Sequence, residues 1–159
     1  MLAPLLASTM IFAKQGDALA KMRDRTGASV ESLSELGYAA GKSGADAAIL
    51  EKGLIGMSRS MLGLEQGLAT TKLLFDEIGL SMQDLKGLSP DAQFKLIADR
   101  ISQVEDPTRK AALAMGILGK SGQKLLPLIN EGADGIEALQ QQARDLGLTL
   151  SDEAANNAA

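Results

Sequence analysis

Residues 46–68 read DAAILEKGLIGMSRSMLGLEQGL. Within them Leu50, Leu54, Met57, Met61, Leu64 and Leu68 return at alternating steps of four and three. That rhythm gathers side chains along one stripe of an α-helix, whereas in a strand it would scatter them over both faces. The six residues therefore form a candidate packing seam, the contact edge of a helical hairpin or short coiled coil. Gly53, Gly56, Gly63 and Gly67 lie in the same stretch. Each costs about 1 kcal/mol relative to alanine inside a helix, so together they predict close backbone packing or a break near Gly67. A membrane role for Gly63-x-x-x-Gly67 is disfavoured, because Glu65 and Gln66 sit inside it and no long apolar run surrounds it.

The same rhythm extends in both directions. Leu2, Leu5, Thr9, Phe12, Gly16, Leu19 and Met22 share a helical face, Pro4 falls in the first turn where it is tolerated, and Thr26-Gly27 closes the helix. Ser29 is placed to cap a second helix that turns Val30, Leu33, Leu36 and Ala40 inward, and GKSGAD breaks it. After the seam, Leu73 to Ile78 continue helically to Gly79, and Ser81 with Asp84 forms a capping box for a short turn through Leu85. Ser89-Pro90 opens a helix carrying Phe94, Ile97, Ile101 and Val104, and Asp106-Pro107 opens another from Thr108 to Leu118. Ile136, Leu139, Ala143 and Leu146 mark a later helix that Gly147 ends, and Ser151 caps the start of one more. No run of alternating β-branched residues occurs. The chain reads as all-α, about eight short to medium helices packed as helical hairpins or an irregular bundle, with no sheet. Its divisions are an apolar amino-terminal helix over residues 1–28, a helical domain over 29–150, and the start of a truncated helix over 151–159.

Composition narrows the chemistry. At 159 residues the chain is long enough for one buried core, and with no Trp, one Tyr and three Phe that core must come from aliphatic residues, Met and Ala. The absence of cysteine and histidine removes disulfides, thiolate nucleophiles, imidazole bases and the usual zinc ligands. A net charge of −4 with scattered basic residues gives no concentrated surface for releasing the counterions of duplex DNA. The opening MLAPLLASTMIFAK has no positive leading region and is too short to span a bilayer before Lys14, Gln15 and Asp17, so it reads as a buried helix.

Two Gly-Lys-Ser triplets invite a nucleotide reading. A phosphate loop needs glycine five residues before the Gly-Lys-Ser/Thr, and those positions hold Ala114 for Gly119-Lys120-Ser121 and Leu36 for Gly41-Lys42-Ser43. A phosphate loop also follows a strand, and here a helix runs into it. Gly119 instead reads as a left-handed helix stop, Ser121-Gly122 as a turn, Leu125, Leu126, Leu128 and Ile129 as residues packing back, and Lys120 as solvent-facing. Glu31 with Glu35 and Asp76 with Glu77 are neighbouring carboxylates, but none stands in a calcium-loop pattern, and such pairs on helices are expected to be solvated. The sequence offers no catalytic, cofactor-binding or metal-binding set, and no cofactor is expected.

Taken in order, Thr26-Gly27-x-Ser29, Ser43-Gly44-Ala45-Asp46, Ser89-Pro90-x-x-Gln93-Phe94, Asp106-Pro107 and Gly119-Lys120-Ser121-Gly122-x-x-Leu125-Leu126-Pro127-Leu128 closely resemble the pattern of phage tail tape measure proteins. The resemblance runs from about residue 16 to residue 155. It implies a non-enzymatic virion component of a long-tailed phage or prophage, made in the host cytoplasm, that runs inside the tail tube, sets tail length and leaves during DNA delivery. It also implies the partners: tail tube, tail chaperone and baseplate proteins, other copies of the chain, no sequence-specific nucleic acid, and a membrane only during ejection. The chain is much shorter than such proteins and reads as a fragment or truncated frame. Two other readings compete, a membrane-active helical segment suggested by LAPLLASTMIFA and an unrelated helical adaptor with the same caps. As one straight helix 159 residues would span about 240 Å at 1.5 Å per residue. The proline and glycine punctuation instead predicts a folded domain, with a sharp change of direction at Pro107, that adds much less axial length.

Overall fold

The structure, a computed structural model, describes residues 16–151 and residue 153. The predicted inward face at Leu2, Leu5, Thr9 and Phe12, the first-turn Pro4 and most of the helix expected after Ser151 lie outside the described residues. Every regular element among the described residues is helical: α1 (16–26), α2 (Val30–Lys42), α3 (Ala47–Glu65), α4 (Ala69–Glu77), α5 (Met82–Leu85), α6 (Pro90–Ser102), α7 (Pro107–Leu118), α8 (Leu126–Ile129) and α9 (Gly132–Asp145), with a single 3-10 turn at Lys120–Gly122. The fold is all-α.

Local chemistry sets most of the boundaries. Ser29 Oγ accepts the Ser32 amide at 3.1 Å to start α2, and Asp46 Oδ1 accepts the Ile49 amide at 2.8 Å to start α3. Ser81 and Asp84 exchange bonds at the start of α5, the Ser81 amide donating to Asp84 Oδ2 at 2.9 Å. Asp106 accepts from the Thr108 amide at 3.1 Å and Pro107 takes the first helical position of α7. Ser89 precedes Pro90 with extended backbone, but its side chain makes no cap hydrogen bond, so the fixed φ of proline is what opens α6.

α2 and α6 pack most extensively against α9, and α8 packs against it to a lesser degree. α3 in turn packs on α7, and α4 contacts both. One apolar core joins all of them. Phe75 from α4 and Phe94 from α6 are fully enclosed among Leu33, Leu36, Leu50, Ile97, Ile101, Leu113 and Ile117. Burying a leucine or phenylalanine side chain is worth roughly 1.5–3 kcal/mol, and short helices with no stability of their own depend on that sum.

Three expected inward positions depart from the pattern. Leu68 is 51 % exposed: α3 ends at Glu65, Gly67 takes φ 75°, and Leu68 sits in extended backbone as the residue before α4, so the phase of the seam is lost. Leu146 is 61 % exposed because it ends α9 just before Gly147 turns the chain at φ 72°. Val104 lies beyond the end of α6 and is half-buried. Gly119 has the positive φ expected, 79°, but its ψ of −169° is extended and not left-handed helical, so the chain leaves α7 straight into the 3-10 turn.

Candidate functional site

Along the seam on α3 the backbone comes close to its neighbours. Leu50, Leu54 and Met57 are buried, and Met61 and Leu64 are half-buried against the core. The glycines beside them explain how. A Cβ on Gly56 would stand 2.2 Å from the Leu118 carbonyl oxygen, one on Gly53 would stand 2.5 Å from Leu125 Cδ1, and one on Gly63 would stand 2.9 Å from Thr71 Oγ1. Ser60 Oγ donates to the Ile117 carbonyl at 2.6 Å and thereby satisfies an acceptor left open at the end of α7. Close packing holds at these three glycines, and Gly67 supplies the break.

The Gly-Lys-Ser-Gly turn lies at this junction. A Cβ on Gly122 would meet the Ala114 carbonyl oxygen at 2.1 Å, so the turn is pressed onto α7. Two amides at and just after it are taken up within the chain: Gly122 donates to the Gly119 carbonyl at 2.9 Å and Leu125 to the Ser121 carbonyl at 3.1 Å. A phosphate cradle needs converging outward amides. Lys120 faces solvent, Leu125, Leu128 and Ile129 are buried, and Leu126 is half-buried.

Glu35 overturns the expectation of a solvated carboxylate. It is only 5 % exposed, with Arg144 Nη1 donating to Oε1 at 2.6 Å and Thr149 Oγ1 donating to Oε2 at 3.1 Å. Arg144 Nη2 also donates to Glu137 at 2.6 Å, and Lys95 Nζ reaches Glu137 at 2.8 Å, so one line of charges crosses from α2 through α9 to α6. Lys95 and then Arg144 hold the Glu137 carboxyl below its ordinary value. Sequence carried no signal for this, since Glu35 and Arg144 are 109 residues apart. Glu77 is bonded to Arg109 through two guanidinium nitrogens, Nε and Nη2, which lowers its carboxyl from the ordinary range, while Asp76 pairs with Lys72 at 2.8 Å. Another cap comes from a distance: Asp99 on α6 accepts the Ala133 amide at 3.0 Å at the start of α9.

What these groups do chemically is hold helices together. Among the described residues no group of three or more His, Cys, Asp or Glu could hold a metal ion, and no helix is long and apolar enough to cross a membrane. Comparison with known protein families, curated proteins and solved structures finds no match.

Proposed function

We propose that this chain is a structural module of a phage or prophage tail, a folded helical segment of a tape measure protein that acts in tail assembly, length determination and DNA delivery, and that it performs no catalysis. One observation carries the reading: the ordered set of motifs from Thr26-Gly27-x-Ser29 to Gly119-Lys120-Ser121-Gly122-x-x-Leu125-Leu126-Pro127-Leu128. Each motif lies at a helix boundary of a domain with one shared core, which is what a recurring folded segment requires. The partners on this reading are tail tube, tail chaperone and baseplate proteins, with other copies of the chain, in the virion and, before that, in the host cytoplasm.

A packed domain and a straight ruler make different contributions to length. On the tape measure reading, in-frame deletion of this segment from the parent gene, followed by electron microscopy of the tails, gives failed assembly or little shortening. Viable particles shortened by about 240 Å, the straight-helix length at 1.5 Å per residue, would refute the packed module. Normal tails in normal numbers would remove the tail assignment itself.

A further inference from the structure

A cavity of about 670 Å³ opens between α1, α2, the start of α3 and the segment that follows α9. Its volume falls within the roughly 300–1,000 Å³ of small-molecule sites. Met22, Leu33 and Leu150, each 5 % exposed or less, give it an apolar floor, and the flexible thioether of Met22 can follow the outline of what it touches. The charges at its mouth are already engaged with one another: Lys21 Nζ lies 2.8 Å from Asp17, and Arg25 grips Glu51 through two nitrogens. The two cations and two carboxylates cancel, so the mouth gives a charged ligand no net attraction while the apolar floor favours an uncharged one.

The space beside α2 is open at Gly37. Gly37 lies in mid-helix on the cavity wall, where glycine costs about 1 kcal/mol relative to alanine, yet a Cβ there would have no neighbour within 4 Å. Nothing in the packing demands glycine at that point. The far wall is fixed in place: Leu150 N donates to Ser34 Oγ at 3.0 Å, Thr149 is bonded to Glu35, and Tyr38 Oη donates to Gln142 Oε1 at 2.7 Å. Leu148 is thereby held at the rim, 47 % exposed. From these features we infer that the cavity is a binding site for an uncharged apolar small molecule, a role that goes beyond the tail reading and does not rest on it.

The test titrates the full chain with N-phenyl-1-naphthylamine, an uncharged apolar probe whose emission rises in apolar surroundings. The expected result is a saturable rise, lost by at least about tenfold in affinity in Gly37→Phe, whose ring would occupy the space. Gly41→Phe, one turn further along α2 and outside the cavity lining, keeps the parent affinity. Circular dichroism and thermal melting establish that both variants are folded. Absence of saturable binding, unchanged affinity in Gly37→Phe, or equal loss in Gly41→Phe overturns the site. Displacement of the probe by a synthetic peptide of residues 1–15 would assign the cavity to the chain's own apolar segment and overturn it equally.

Discussion

Gly56 and Gly41 carry the same absent side chain for opposite reasons. At Gly56 a Cβ would collide with the backbone of Leu118 and Gly119, and backbone cannot step aside as a flexible side chain can. Gly41 on α2 is exposed and has open space around its missing Cβ. We expect Gly56→Ala to destabilise the fold by roughly 1–3 kcal/mol as α3 is pushed from α7, and Gly41→Ala to stabilise it by about 0.5–1 kcal/mol through helix propensity. Urea midpoints of the two variants, compared at equal slope, give the answer. Stabilisation by both would show that propensity, and not proximity, governs these glycines. The presence of glycines on α3 is readable in the sequence, as is the alternative of packing or a break. Which glycine does which depends on where α7 and α4 arrive, and that is tertiary information.

At the level of elements, the helices divide into those that announce their own ends and those that borrow them. α2, α3, α5 and α7 begin at Ser29, Asp46, Ser81 and Asp106, all of which hydrogen-bond within a few residues, so local chemistry made these starts legible. α9 begins at Gly132 with no side-chain cap from Glu131 and takes its bond from Asp99 instead. Periodicity was equally local: it placed Leu50, Leu54 and Met57 inside, and misplaced Leu68 and Leu146 because a helix phase has no meaning beyond the helix end. Glu35 shows the same limit for charge, since the pairing of α2 with α9 decides its burial. Removing only Arg144 leaves a buried carboxylate with Thr149 alone, and an unpaired buried charge destabilises a fold. Arg144→Met should therefore lower the denaturation midpoint, and Glu35→Met with Arg144→Met should recover much of the loss by replacing charges with apolar contact. If the double variant is less stable than the single one by the full cost of Glu35→Met measured alone, the two residues are uncoupled and the account fails.

For the whole molecule, the pH profile follows from which carboxyls the fold has shifted. Glu77, bonded to Arg109, Asp84, bonded to the backbone and side chain of Ser81, and Glu137, bonded to Lys95 and Arg144, all have carboxyls lowered from ordinary values of 4.5, 3.8 and 4.5. A carboxyl lowered by folding contributes stability that is present above its unfolded value and is lost as pH falls through the folded one. Stability should then be level from about pH 5 to 8, where the chain has no histidine to titrate, and should decline below about pH 4.5. Melting temperatures across that range at constant ionic strength test it; a decline between pH 6 and 8 would contradict it. The fold class was open to sequence reading because helix periodicity and its punctuation are local, whereas the order of packing and the cavity beside α1 were not, since they depend on α1, α2 and the segment after α9 converging. That convergence has a mechanical side. Leu150 is buried with Ala20 and Val30, so the segment after α9 returns to lie beside α1. A pull applied at Ala20 and Leu150 would therefore act on two adjacent points of the fold. Folded, the residues between those two points separate them by little; unravelled, each residue released would add up to about 3.3–3.6 Å, so this stretch would act as a store of slack and not as a rod.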